Sequence, residues 1–141
     1  MVDRFASPQD AEDAYYDALE EHDIERMMAV WEASPDIACL LPMQPLVLGS
    51  GVREAWRPLF ESDVAVDVEV HHIRWVEMGD LAIHYVEERV NVAGQPQKNP
   101  PVYATNVYRK GPQGWRMLLH QNSPLPPPPE VMRGMARPPM Q

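Results

Sequence analysis

The feature that most constrains the fold is a pair of β-rich segments joined by a short loop. They span Val102 to Pro124, VYATNVYRKGPQGWRMLLHQNSP, and the loop is Gly111-Pro112-Gln113-Gly114. Such segments on either side of a glycine- and proline-containing loop are typical of a β-hairpin. Because side chains alternate across a strand, each strand carries apolar or aromatic groups on both faces. We therefore predict that helices cover one face of the sheet and that a second subunit covers the other.

Length and proline distribution predict one domain followed by a tail. At 141 residues the chain is long enough for a single core. The 16 prolines cluster at segment ends and after Ser123, where four are consecutive. Such a run favours an extended polyproline II conformation. We assign residues 1–124 to the domain and residues 125–141 to a proline-rich tail.

Charge and cysteine content exclude several classes of partner. The chain has 12 basic and 21 acidic residues, a net charge of −9, and therefore lacks the basic surface that binds nucleic acid. It contains no apolar run long enough for a membrane span and no signal-peptide pattern, so no membrane partner is expected. A single cysteine, Cys39, forbids an intrachain disulfide and fits a reducing compartment. We expect a cytoplasmic protein.

Three amphipathic helices are predicted in the first half of the chain. The first begins at Ser7-Pro8, the second at Asp23 and the third at Ser50, each with an N-capping side chain. We expect Pro58 to kink the third helix or end it near Trp56, because proline removes a helical hydrogen bond. The acidic residues of the first helix are predicted to form a solvated face: Glu12, Asp13, Asp17, Glu20 and Glu21.

Alternation with period two begins at Val64 and changes phase beyond His71-His72, as a β-bulge produces. A second phase change between Leu81 and Val92 suggests a strongly bent sheet. His71 and His72 are adjacent strand residues and point to opposite faces, so they do not readily chelate one ion. His84 and Glu88 could meet His72, but a polar patch is the simpler interpretation. We expect no metal and no cofactor.

The order of elements, three helices and then long strands, is an α+β layout. It resembles the nuclear transport factor 2-like superfamily, in particular its SnoaL-like and ketosteroid isomerase-like branch. The resemblance is carried by DAEDAYYDALEEHDIERMMAVW, CLLP, Gly49 before the third helix, GDLAIHYVEE and ATNVYRKGPQGWRMLLHQNSP. It implies a curved antiparallel sheet wrapped around three N-terminal helices, with a cone-shaped pocket between them.

Ketosteroid isomerase gives the resemblance its sharpest test. Tyr15 resembles the tyrosine that donates to the oxyanion in that enzyme. The general base of that enzyme is an aspartate immediately before a proline, and the residue before Pro42 here is Leu41. A leucine has no lone pair with which to accept a proton. Ketosteroid isomerase activity is therefore not expected.

The pocket implied by the resemblance has six candidate lining residues: Tyr15, Met43, Trp56, Phe60, Asn106 and His120. The leading interpretation is a domain that binds a hydrophobic small molecule. One alternative is an isomerase, cyclase or dehydratase that uses Tyr15 or His120 in acid–base catalysis. Another is a non-catalytic assembly module, similar to the association domain of a multifunctional kinase. In each case we expect a homodimer formed through the sheet face.

Overall fold

The computed structural model describes residues 4–95 and 99–124, so the tail assigned to residues 125–141 lies outside the described residues. The described part forms the predicted α+β fold, with helices packed against one face of a curved, open sheet. The helices are α1 (Pro8–Glu21), α2 (Ile24–Val30) and α3 (Gly51–Glu61). The strands are β1 (Ala38–Leu40), β2 (Val47–Leu48), β3 (Val66–Met78), β4 (Leu81–Val92), β5 (Val102–Gly111) and β6 (Gly114–Asn122).

The helix starts follow the capping signals for α1 and α2. Ser7 Oγ accepts a hydrogen bond from the Asp10 backbone N–H at 3.1 Å, and Asp23 Oδ1 accepts one from Arg26 at 3.1 Å. Of the two alternatives expected at Pro58, an end near Trp56 is wrong, because the helix continues through Pro58 to Glu61. The last turn is held by packing: the Phe60 ring contacts Trp56 and stacks on His22.

The sheet has the strand order β2-β1-β6-β5-β4-β3. Four of its strand pairs are antiparallel, but β1 and β6 are parallel, with Cys39 opposite His120. The expectation of a purely antiparallel sheet is therefore corrected to a mixed one. No local pattern reveals this pairing, since β1 and β6 lie far apart in the sequence and no hairpin connects them.

Two irregularities in the strands decide which residues face the helices. The predicted bulge is confirmed in β3, where the register shifts between His72 and Arg74. The second phase change is not a bulge, because β4 keeps a continuous register with β5 from Leu81 to Glu88.

The other shift lies in β6, where Val107 pairs with Leu119 and Tyr108 with Met117. The extra residue, Leu118, turns both Met117 and His120 toward the helices, where both are buried. Strict alternation along β6 predicted that Met117 and His120 lie on opposite faces of the strand. The structure corrects this prediction, because both side chains lie on the inner face.

The helices cover the inner face of the sheet and leave the outer face open in this chain. Tyr85 and Tyr103 on the outer face are 39% and 46% exposed. Among the described residues, no helix combines the length and the apolar character needed to cross a membrane.

Candidate functional site

A cavity of about 510 Å³ lies between α1, α3 and the inner face of the sheet. We call it the cone cavity. Its lining is mostly apolar, with three polar side chains of the sheet, Glu88, His120 and Asn122, grouped together. The apolar and aromatic lining residues include Tyr15, Leu19, Leu41, Pro42, Trp56, Leu59, Val66, Val90 and Val102. An apolar cavity with a few convergent polar groups is the usual form of a small-molecule site.

Three of the six predicted lining residues, Tyr15, Trp56 and His120, meet in this cavity. The Tyr15 ring centroid lies 5.7 Å from that of Trp56 and 5.0 Å from that of His120. Trp56 is buried, and its indole N–H has no hydrogen-bond partner among the described residues. The indole N–H of Trp56 is therefore a buried hydrogen-bond donor with no acceptor among the described residues.

The other three predicted residues lie elsewhere. Asn106 is buried behind His120 and hydrogen-bonds to it. Phe60 is half-buried and packs on Trp56, outside the residues that line the cavity. Met43 is 83% exposed in the turn after β1, with a backbone φ of 64°. Met43 lies in the turn that reverses the chain, and the side chain of Met43 points into solvent.

The polar group of the cavity is held by a chain of hydrogen bonds. His120 Nε2 lies 2.7 Å from Asn122 Oδ1, and Asn122 Nδ2 donates to Glu88 Oε1 at 2.8 Å. The other Glu88 oxygen accepts from the Tyr16 hydroxyl at 2.6 Å. On its second nitrogen, His120 contacts Asn106 Oδ1 at 2.6 Å. All five side chains are therefore fixed in position.

Two asparagines hold the His120 ring in place. Asn106 and Asn122 direct their NH₂ groups toward the Glu12 and Glu88 carboxylates, at 3.2 and 2.8 Å. Their carbonyl oxygens face the two ring nitrogens of His120. Both nitrogens of His120 are therefore engaged within the protein.

The tyrosines near the cavity keep their protons. Burial, together with the charge of Glu88, raises the pKa of Tyr15 and that of Tyr16 well above their usual value. Tyr15 is therefore a hydroxyl group that can donate a hydrogen bond and has little tendency to act as a base. Burial likewise raises the pKa of the Cys39 thiol to about 12, as expected for a small core residue rather than a nucleophile.

A second polar cluster surrounds Glu12, which is completely buried. The predicted solvated acidic face of α1 is thus wrong at this position. Glu12 Oε2 accepts hydrogen bonds from Asn106 Nδ2 and the Tyr108 hydroxyl, at 3.2 and 3.1 Å. It also lies 2.8 Å from His84 Nδ1, while Oε1 contacts His72 Nε2. Burial acts to raise the pKa of Glu12, but the hydrogen bonds from both histidines prevail and lower it.

The sequence contained one signal for this cluster. Glu12 precedes Tyr15 by three residues and Tyr16 by four, so all three share one side of α1. His84 occupies an inward position of β4, between Ala82 and Val86, which are also buried. A carboxylate beside an aromatic helix face, opposite an inward histidine, is a pattern that could have identified the pair.

The family follows from comparison with known proteins. Residues 9–127 match the family model of the SnoaL-like domain. The chain belongs to the SnoaL-like domain family. With its structural neighbours, this places it in the nuclear transport factor 2-like superfamily, as predicted. No curated protein matches the chain at a significant level.

Solved structures similar to this SnoaL-like domain come from several bacteria. A candidate calcium/calmodulin-dependent protein kinase type II association domain from Thiobacillus denitrificans is 34% identical; the match covers 88% of this chain and 99% of that one, with a TM-score of 0.82. A candidate dehydratase from Streptomyces avermitilis is 26% identical over 83% of this chain and 92% of that one, with a TM-score of 0.74. A ketosteroid isomerase-like protein from Erwinia carotovora is 20% identical over 84% of this chain and 94% of that one, with a TM-score of 0.64. At this identity the match supports the fold alone.

Proposed function

We propose that this SnoaL-like domain binds a hydrophobic small molecule in the cone cavity. The observation that carries the proposal is the apolar lining of a cavity of about 510 Å³ around a buried carboxylate, Glu88. A pocket of this size is within the range that encloses small organic ligands. Burial of the apolar body of such a ligand supplies the affinity.

The polar groups predict what the ligand carries at its polar end. His120 has no free nitrogen, since both contact asparagine carbonyl groups. Glu88 accepts one hydrogen bond on each oxygen, which leaves further lone pairs for a ligand N–H or O–H. The best fit is an apolar molecule with one hydrogen-bond donor group, placed against Glu88.

The first experiment is native mass spectrometry of the purified protein, to detect a co-purified small molecule. The second is titration with N-phenyl-1-naphthylamine, an apolar dye with one N–H. Ala55 lines the cavity, whereas Ala65 is exposed outside it. Ala55→Leu should reduce dye binding about tenfold or more by filling the space, and Ala65→Leu should leave it unchanged. Equal dye binding by the two variants would contradict the proposal.

A second candidate function is acid–base catalysis on the bound molecule, of the isomerase, cyclase or dehydratase type. It is favoured by the ionisable groups that meet the ligand space, Glu88 and Tyr15. In this scheme Glu88 would be the base and Tyr15 the donor, while His120 would hold Glu88 in place through Asn122. Turnover of the co-purified molecule by the wild type, lost in Glu88→Gln under conditions where circular dichroism shows the variant to be folded, would establish catalysis.

We also propose a homodimer formed through the outer sheet face. The exposed face carries Tyr85 and Tyr103, with the half-buried side chains of Ile83, Val107 and Leu119 between and beside them. A monomer seldom leaves a continuous apolar patch of this kind in water. In a dimer with a two-fold axis, the same patch of the second subunit would cover this patch.

Sedimentation of a single species of monomer mass at low micromolar concentration would contradict the proposed homodimer. A dimer with an empty, ligand-free cavity would instead favour the assembly-module alternative.

For the location we propose the cytoplasm. The single cysteine, Cys39, is buried, and its thiol is compatible with a reducing compartment. Fractionation of the source cells, with the protein followed by antibody, would test this; recovery outside the cytoplasmic fraction would contradict it.

A further inference from the structure

We propose that Glu12, His72 and His84 form a binding site for a divalent transition metal, with Zn²⁺ as the ion whose ligand preferences fit best. One potential ligand atom from each residue lies within 4.8 Å of the others. Two imidazoles and one carboxylate are a ligand set that binds zinc and leaves a coordination position open. This site is separate from the cone cavity and does not depend on the ligand proposed there.

The pairing of β3 with β4 brings the cluster together, and the bulge in β3 adds Trp75 beside it. Beyond the shift at Ile73, Trp75 pairs with His84, while His72 before the shift pairs with Val86. Both histidines therefore reach the inner face, although they lie on neighbouring strands. His71 pairs with Glu87 and points to the outer face, so the two adjacent histidines lie on opposite faces of the sheet. The second histidine comes from β4 instead.

Charge favours a cation at this position. Glu12 is completely buried, and its ion-pair partners among the described residues are the two imidazoles. A buried carboxylate requires a compensating charge, either a paired cation or a metal. The Glu12 oxygens already contact His72 Nε2 and His84 Nδ1, the latter at 2.8 Å. A zinc ion would lie between the Glu12 carboxylate and these two ring nitrogens.

Zinc binding by these three residues requires only a small change in geometry. In a tetrahedral zinc site, with metal–ligand distances of about 2.0–2.1 Å, neighbouring ligand atoms are about 3.3 Å apart. The His84–Glu12 distance of 2.8 Å would lengthen by about 0.5 Å. The His72 side chain is 35% exposed, so the ring that would move is also the one at the surface.

Groups around the cluster hold two of the ligands in place. The Tyr108 hydroxyl and Asn106 Nδ2 both donate to Glu12 Oε2, which orients Oε1 toward His72. The Trp75 ring stacks on His84, with centroids 4.5 Å apart and planes 12° apart. The hydrogen bonds from Tyr108 and Asn106 to Glu12 are of the kind that commonly tunes metal affinity.

The alternative interpretation of Glu12, His72 and His84 is a hydrogen-bonded cluster that binds no metal.

The test is calorimetric titration of the chelator-treated full chain with Zn²⁺, and visible absorption with Co²⁺ as the spectroscopic probe. One ion per chain and a tetrahedral Co²⁺ spectrum are expected. His72→Ala should abolish both, whereas His71→Ala is the matched control and should bind as the wild type does. Tyr108→Phe should weaken Zn²⁺ binding by about 10–100-fold.

Circular dichroism must show that each variant is folded, and the exposed position of His72 favours this for the decisive variant. Absence of stoichiometric Zn²⁺ binding to the folded wild type would overturn the proposal and leave the hydrogen-bonded cluster as the explanation. Binding by His72→Ala with wild-type affinity would overturn it as well. So would an equal loss of binding in His71→Ala, which would indicate a surface site.

Discussion

His120 Nε2 and Glu88 Oε2 lie 3.9 Å apart beside the cone cavity, and the side chain of Asn122 bridges the two residues. Both side chains are buried, so the hydrogen-bonded network that joins them is shielded from solvent. A buried polar network is stable only when its donors and acceptors are paired with one another. Removing one member therefore affects both the fold and the cavity.

The first prediction concerns Glu88→Gln, which keeps the shape of the side chain and removes its charge. It should lower the free energy of unfolding by about 1–3 kcal/mol, because the buried Tyr16 hydroxyl and Asn122 amide lose a charged acceptor. Glu87→Gln is the control, since Glu87 lies next in the chain on the outer face and should change stability by less than about 0.5 kcal/mol. Urea unfolding near neutral pH measures both. Equal effects would show that the buried network does not need the Glu88 carboxylate.

The second prediction concerns pH and Glu12. Its pKa is lowered in the folded state, so the unfolded chain binds more protons as the pH falls. The contribution of Glu12 to stability is thus fully present above its unfolded pKa of about 4.3, and it is lost as the pH falls through the lower folded value. Stability should decline below about pH 5 in the wild type and decline less steeply in Glu12→Gln.

Asp17→Asn is the control for this experiment, because Asp17 is an exposed acidic residue on the same helix. Thermal melts from neutral pH down to pH about 3 give the slopes. If Glu12→Gln has the same pH dependence as the wild type and Asp17→Asn, the buried carboxylate does not titrate with folding.

The third prediction is that Trp56→Ala lowers the free energy of unfolding by about 3–5 kcal/mol. Trp56 is 1% exposed and packs between the rings of Tyr15 and Phe60. Met43→Ala is the control: its side chain is 83% exposed, and the change should be within about 0.5 kcal/mol. Denaturant unfolding separates the two. A small loss for Trp56→Ala would assign the ring to ligand contact alone.

The fourth prediction is the absence of ketosteroid isomerase activity. Leu41 lines the cone cavity at the position where the resemblance places the general base. A positioned base contributes about 10²–10⁴-fold to proton transfer, so a Δ5-3-ketosteroid should not be isomerised above background. A spectrophotometric assay of the product measures this. Turnover that disappears in Glu88→Gln would show that Glu88 replaces the missing base.

The sequence by itself determined the parts of this protein that depend on local rules. Ser7 and Asp23 cap their helices, the loop at Pro112-Gln113 closes the hairpin, and the phase change beyond His71-His72 marks the bulge. Each feature follows from the conformational preferences of a few neighbouring residues. The order of these elements was enough to identify the family.

Only the tertiary structure decided which polar residues lie inside. Glu12 has the sequence surroundings of an exposed helical residue, but its partners His72, His84, Asn106 and Tyr108 are 60 to 96 residues away. Periodicity defines a face of α1 and a face of each strand, but it does not say which faces meet. The bulge at Leu118 and the parallel pairing of β1 with β6 set that register. Burial of a charge is favourable only once all its partners are assembled, which no local pattern records.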